Sequence, residues 1–205
     1  IIKRWSQKIY RACDHIAVSS QSFFDYLEEL HGIDRDKMSY LPQYASSEML
    51  ESDFRKTPNG HIDFTYIGNI GKVQDMDCLV RAIALLKDRI DVTFHIIGGG
   101  TSLEETKKMA QDTGADRIMI FYGPLPFGET MKYYKNADAC VITLAGDNRI
   151  GDTLPGRLQR YMAAGKPLFG AMNGAGQEVI RESGSGSCVN AGDYEGLANA
   201  FLDYI

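Results

Sequence analysis

The chain has 205 residues, 44% of them hydrophobic, and a formal net charge of −5. That length holds one ample domain, or one domain and part of another, with enough apolar residues for a packed core. The acidic balance argues against a nucleic-acid surface, so any phosphate must be bound locally by helix ends and a few Arg or Lys.

In chain order, residues 1–12 read as a helix, 16–19 as a short strand and 22–30 as a helix stopping near Gly32. Residues 38–41 read as another strand, ended by Pro42. Residues 45–60, with Ser46, Ser47, Pro58, Asn59 and Gly60, lack periodicity and read as a linker between domains. The competing reading is one continuous domain.

From Ile62 the pattern alternates regularly. Strands are expected at 62–67, 92–97, 118–121, 139–143 and 167–169, with a last helix, strand and helix at 177–182, 187–189 and from Tyr194. Helices over 75–87, after Ser102 (Thr101 or Ser102 as cap) and up to about Lys135 separate the first four strands. Such alternation predicts an α/β fold with a doubly wound parallel sheet covered on both faces. Ligands of such a sheet lie outside the carboxyl ends of the strands, near the point where strand order reverses. The segments there are 68–74, 98–100, 123–126, 144–153 and 170–176, all Gly-rich or polar.

The stretch 151–167, GDTLPGRLQRYMAAGKP, narrows the chemistry most. Pro155 suits a first helical turn, Asp152 or Thr153 could cap it, and Leu158, Tyr161 and Met162 recur at helical spacing. Gly165 stops the helix. Its opening turn points unpaired N–H groups and the positive dipole end at whatever lies before it, and Arg157 adds a full charge. That is an anion site; the plainer alternative is a buried helix between two strands.

This stretch resembles the donor-binding helix of retaining GT-B nucleotide-sugar glycosyltransferases of the group 1, family 4-like kind, in the branch reading Pro-Ser-Lys-Leu-Gln-x-Tyr-Met-Ala-Ala-Gly-Lys-Pro. Here Gly156 replaces the Ser and Arg157 the Lys, which keeps the charge. Gly68-Asn69-Ile70-Gly71, followed by Gln74, matches the same branch, whereas the wider superfamily carries Arg and Lys where this chain has Asn69 and Gln74. Cys13 to Ser20 and Lys37 to Gln43 resemble the last βαβ portion of the GT-B N-terminal domain. The resemblance implies the C-terminal half of a GT-B fold: residues 1–45 a remnant of the acceptor-side domain, 46–60 the linker, 61–205 the nucleotide-sugar domain. Ile1 opens without Met and Ile205 falls inside an amphipathic pattern, so both ends read as cut.

The donor-binding residues implied are Gly68, Asn69, Gly71, Lys72, Gln74, Gly98, Gly123, Pro124, Leu125, Thr153, Leu154, Pro155 and Gly156. Arg157 is expected to meet the diphosphate with Lys72, and Arg149 as a lesser candidate. The superfamily's two glutamates, eight positions apart, align with Asp152 and Arg160. Asp152 is therefore assigned to sugar hydroxyls, and Glu178 substitutes at the ribose because Arg160 cannot accept from its hydroxyls. The competing reading of Glu178 is a solvated first-turn residue. Gly98-Gly99-Gly100 lacks the dinucleotide spacing, since residue 103 is Leu. The four cysteines, Cys13, Cys78, Cys140 and Cys188, read as reduced thiols, and His15, His31, His61 and His95 as satisfied core or surface residues, each alone in sequence and forming no catalytic grouping.

The function implied is transfer of a hexose or N-acetylhexosamine-type sugar from a nucleotide diphosphate donor, with retention and without metal or cofactor. The resemblance suggests a uridine nucleotide, a carbohydrate or lipid-linked acceptor in surface-polysaccharide synthesis, and a cytoplasmic place at the inner face of the membrane with peripheral association. This fragment alone is expected to bind donor without efficient transfer. The alternative is a non-catalytic glycosyltransferase-like binding or assembly module, favoured by the departures at Asn69, Gln74 and Arg160. An epimerase of the same architecture would need a carboxylate and histidine pair that the sequence does not offer.

Overall fold

The computed structural model describes all residues except Ile1, Ile90, Asp147 and Asn148. The first residue of the expected N-terminal helix and two residues of the segment 144–153 thus lie outside the described residues. The chain opens with α1 (Ile2–Ala12), β1 (Ile16–Val18), α2 (Ser22–His31) and β2 (Met38–Tyr40), and β1 pairs in parallel with β2. Gly32 ends α2 in the left-handed conformation at φ 62°, letting the N–H groups of Gly32 and Ile33 return to the carbonyls of Glu28 and Leu27. Val18, Leu27, Ile33 and Met38 make a small core of their own.

Residues 45–60 do not run free. They contain a short helix, α3 (Ser47–Glu51), and bury Met49 and Phe54 in one of the two main cores, with Phe54 5.9 Å from the ring of Tyr134. A helix of five residues is too short to register as periodicity, but its apolar side chains still find cover.

The main sheet follows: β3 (Ile62–Ile67), α4 (Met76–Ala84), β4 (Val92–Ile97), α5 (Leu103–Thr113), β5 (Met119–Gly123), α6 (Phe127–Asn136), β6 (Ala139–Thr143), α7 (Gly156–Ala163), β7 (Leu168–Ala171), α8 (Ala175–Ser183), β8 (Gly186–Val189) and α9 (Tyr194–Tyr204). Its order is β5-β4-β3-β6-β7-β8, with every pairing parallel. The chain winds outward through β4 to β5, then returns to place β6 on the other side of β3. The doubly wound α/β sheet expected from the alternation is the fold, and its switch point lies between β3 and β6.

The two faces carry two cores. One joins α4, α5 and α9 to Phe64, Tyr66 and Phe94, with the rings of Phe64 and Phe94 stacked at 4.7 Å. The other holds α3, α6, α7 and α8 against Ile67, Cys140 and Ile142.

Two expected caps differ. Pro155, not Asp152 or Thr153, is the residue before α7, and it makes no side-chain cap. Asp152 closes a 3-10 turn, Ile150–Asp152, and Thr153 Oγ1 donates to Ile150 O at 2.6 Å, so both are engaged one turn too early. Ser102 precedes α5 without a side-chain bond to it.

Candidate functional site: the crevice at the strand switch point

β3 and β6 pair only at Phe64 with Ala139 and Thr65 with Cys140, then part. Tyr161 of α7 fills the gap as a strand would. Its hydroxyl accepts from Ile67 N–H at 2.8 Å and donates to Ile67 O at 3.2 Å. Beyond it, Thr143 Oγ1 donates to Gln74 O at 2.6 Å and Ala145 N–H to Val73 O at 2.9 Å. The helix of the 151–167 stretch is thereby fixed in the crevice.

The glycine bends pack on one another. Gly98 and Gly100 hold φ near 145° and 151°, and a Cβ on them would fall 1.8 Å from Gly68 O and 2.3 Å from Ile70 O. Only glycine fits both that backbone and that approach. Gly68 N–H donates to Ile97 O, Ile70 N–H to Gly99 O and Gly71 N–H to Gln74 Oε1. Asn69 Nδ2 also donates to Gln74 Oε1, at 2.9 Å, and Tyr66 Oη to Asn69 O, at 2.6 Å. The amides of Asn69 and Gln74, assigned to the donor by resemblance, thus hold the bend together. Lys72 is exposed beside them.

Arg157 lies across this bend. A Cβ on Gly68 would come within 3.0 Å of its Cζ, and that Cζ stands 4.7 Å from the centre of the Tyr66 ring. Burial pulls the guanidinium pKa down, but the neighbouring Tyr66 and Tyr161 hydroxyls outweigh it and the net shift is upward. Among the described residues no carboxylate pairs with Arg157, and its Nη1 is buried without a hydrogen bond. A half-buried guanidinium with an inward-facing Nη1 and no counter-charge is costly alone and well suited to receive an anion.

Beside it, a cavity of about 440 Å³ opens on Gly156 and Arg160 of α7, Phe127 of α6, and Gln43, Tyr44 and Glu48. A Cβ on Gly156 would meet Gln43 Oε1 at 3.1 Å, so a Ser here would need a small shift of the Gln43 side chain. Gln43, Glu48 and Phe127 are site residues that the sequence reading did not single out. Gln43 alone carried a signal, directly after the Pro42 that ends β2.

The other expected residues scatter more widely. Asp152 lies 3.5 Å from Arg149 Nη1, and Arg149 also reaches Glu29 at 3.6 Å and covers the ring of Tyr26 at 5.1 Å. Arg149 is therefore tied between Asp152 and α2 and does not face Arg157. Leu125 and Leu154 join the second core, Pro124 covers Gly99, and Pro155 rests on Gly176. Gly123 has φ 72° and open space around it, and Thr153 is exposed. Glu178 is exposed on the first turn of α8 and does not line the cavity at Arg160.

Each histidine has a polar neighbour, as expected of core or surface residues. His15 bonds Ser39, His31 lies 3.4 Å from Tyr26 Oη, and His61 bonds Thr93. His95 lies between Asp63 and Tyr122, 2.9 Å from each, well below the crevice on the same strands. Cys78 and Cys140 are buried free thiols, and burial pushes Cys78 up to about 12.

The α/β sheet is wound both ways, and at its switch point it carries an arginine that no carboxylate of the described residues pairs. Residues 61–205 match the family model of the glycosyl transferases, group 1, and the chain belongs to that family. It is 24% identical over 196 residues, 91% of this chain and 48% of the other, to a probable glycosyltransferase WbjE of Pseudomonas aeruginosa. It is 28% identical, over 65% of this chain and 35% of the other, to a GDP-mannose-dependent α-(1-6)-phosphatidylinositol monomannoside mannosyltransferase of Mycolicibacterium smegmatis. The chain thus spans about half the length, or less, of these curated relatives. Among solved structures, sucrose-phosphate synthase of Thermosynechococcus elongatus superposes with a TM-score of 0.80 at 18% identity, covering 98% of this chain and 51% of that one. Anabaena HepE in complex with UDP superposes at 0.79 with 14% identity, covering 99% and 59%.

Proposed function

We propose that residues 61–205 form the C-terminal, nucleotide-sugar-binding half of a retaining, metal-independent GT-B glycosyltransferase. The observation that carries this reading is Arg157: half-buried with its Nη1 out of solvent, unpaired by any carboxylate of the described residues, and laid over Gly68 at the opening turn of α7. A diphosphate placed there receives the guanidinium and the first-turn N–H groups of Gly156 and Arg157, which helix geometry leaves without intrahelical partners. Those groups stabilise the charge that grows on the departing diphosphate, where preorganised donors help most. The cavity along Gly156, Arg160 and Phe127 receives the nucleoside end. The UDP held by HepE supports a uridine nucleotide, and the GDP-mannose used by the mycobacterial relative makes guanosine the competitor.

The acceptor is carbohydrate or lipid-linked, and the hexosyl transfer belongs to surface-polysaccharide synthesis at the cytoplasmic face of a membrane. No described helix is long and apolar enough to cross a membrane, so association there is peripheral in this reading. The chain of 205 residues binds donor without efficient transfer. Calorimetric titration with UDP, GDP and their sugars tests this: at least one binds, and Arg157→Ala abolishes the heat. Failure of all of them counts against the reading.

A second reading, a glycosyltransferase-like module kept for binding or assembly, is favoured by Asn69 and Gln74 engaging each other and by the basic Arg160 in the cavity. In the longer enzyme, Arg157→Ala removes most turnover under the first reading and leaves partner binding untouched under the second.

A further inference from the structure

A parallel sheet covered on both faces is expected to be apolar on both. Below the crevice, one face of β3, β4 and β5 breaks that rule. Asp63, Thr65, His95 and Tyr122 line a cavity of about 400 Å³, closed on the other side by Tyr133 of α6 and by Lys56. The volume suits a ligand of about one sugar ring, at the small end of known pockets. It lies away from Arg157, and none of its residues takes part in the proposed donor site.

The hydrogen bonds determine what can bind. Asp63 Oδ2 accepts from Lys56 Nζ and Oδ1 lies 2.9 Å from His95 Nε2, so each carboxylate oxygen is already engaged by a side chain of the fold. A carboxylate only accepts, so His95 Nε2 carries the proton and, in the neutral ring, Nδ1 accepts from Tyr122 Oη at 2.9 Å. The phenol oxygen thus keeps lone pairs for a ligand hydroxyl. The rings of Tyr122 and Tyr133, 4.8 Å apart, give the apolar faces against which a sugar ring packs. At the rim, Lys132 and Lys135 pair with no carboxylate among the described residues, and the amides of Asn59 and Asn136 stand beside them.

We infer that the cavity bounded by Asp63, His95, Tyr122 and Tyr133 is a second binding site, for a small polyhydroxylated anion such as a hexose monophosphate. The hydroxyls meet Tyr122 and the amides, and the anionic group meets Lys132 and Lys135. The site is separate from the donor crevice, so it holds or fails independently of the reading of Arg157.

The imidazole carbon-bound proton resonance of His95, assigned by its loss in His95→Gln, reads the site directly by NMR. Titration of the chain with glucose 1-phosphate is expected to shift that resonance to saturation, while glucose, inorganic phosphate and UDP leave it nearly unmoved. Tyr122→Phe weakens the response about tenfold, the order of one lost hydrogen bond. Lys132→Ala with Lys135→Ala, both on the exposed rim and harmless to folding, weakens it as well. No shift with glucose 1-phosphate overturns the site. An equal shift with inorganic phosphate or UDP overturns the ligand class, and unchanged affinity in the double lysine variant does the same.

Discussion

Two cations are half-buried against this sheet, near opposite ends of β3. Lys56, packed at the start of the strand, has a side chain only 10% exposed, and its ammonium is surrounded by His61 O, Asp63 and Asp138. Burial pulls its pKa down, yet the two aspartates more than restore it and the net shift is upward. Arg157, at the far end, is also held charged, but by two tyrosine hydroxyls and a ring face. One cation is neutralised within the fold and the other is not. The charge of Lys56 is met by carboxylates inside the fold, whereas the charge of Arg157 is one that an incoming anion would offset.

The sharpest way to break this comparison is to remove each cation. Lys56→Met leaves Asp63 and Asp138 half-buried without their partner, and is expected to cost about 3 kcal/mol or more of stability in chemical denaturation. Donor binding by the folded fraction stays as it was. Arg157→Ala does the reverse. It removes a half-buried charge that no carboxylate pairs, so the melting temperature holds or rises, while turnover of the longer enzyme falls about a hundredfold, near 2.7 kcal/mol of transition-state stabilisation. Loss of stability in both variants with no loss of activity in either would erase the distinction.

A smaller effect sharpens it. Arg157 can lie over Gly68 only because α7 is fastened to the end of β3, and Tyr161 is the fastening. Tyr161→Phe leaves Ile67 N–H and O without that partner in a dry interior, at a cost of about 1–3 kcal/mol. The phenyl ring still fills the space, so the fold survives. If the crevice depends on that fastening, donor affinity falls with stability; affinity that is unchanged places Arg157 by packing on Tyr66 alone.

The unequal legibility of the two ends follows from how each is built. The sheet was readable because β-branched runs and helical spacings repeat along the chain, and Arg157 because it lies within one local helix start. Asn69 and Gln74 are assigned to the donor by the resemblance, because nothing in their order says that one amide will accept from the other. The cluster around Lys56 assembles Asp63, His95, Tyr122 and Asp138 from three strands and a loop, so no local window holds it. Its members are ordinary polar residues in sequence, and only parallel register, which sets Thr65 opposite His95, brings them together. Met49 and Phe54 are the case where the signal was present, two apolar side chains in a stretch whose Ser, Pro and Gly drew the attention.

The smallest expected effect is an acid limb that belongs to one end of the molecule only. Burial pushes the Asp63 carboxyl up, but hydrogen bonds from His95 and Lys56 outweigh it and hold its pKa at about 2, against an ordinary 3.8. The folded chain keeps this charge where the unfolded chain would lose it. The contribution is therefore complete above 3.8 and disappears as pH falls toward about 2. Asp63 is partly reached by solvent, so screening trims the effect. Asp63→Asn keeps the shape and drops the charge, so its stability is lower at neutral pH and converges on that of the parent across this window. Parallel curves from neutral pH to the acid end would mean that the lower cluster adds no charge-dependent stability, and that the contrast with Arg157 is one of packing alone.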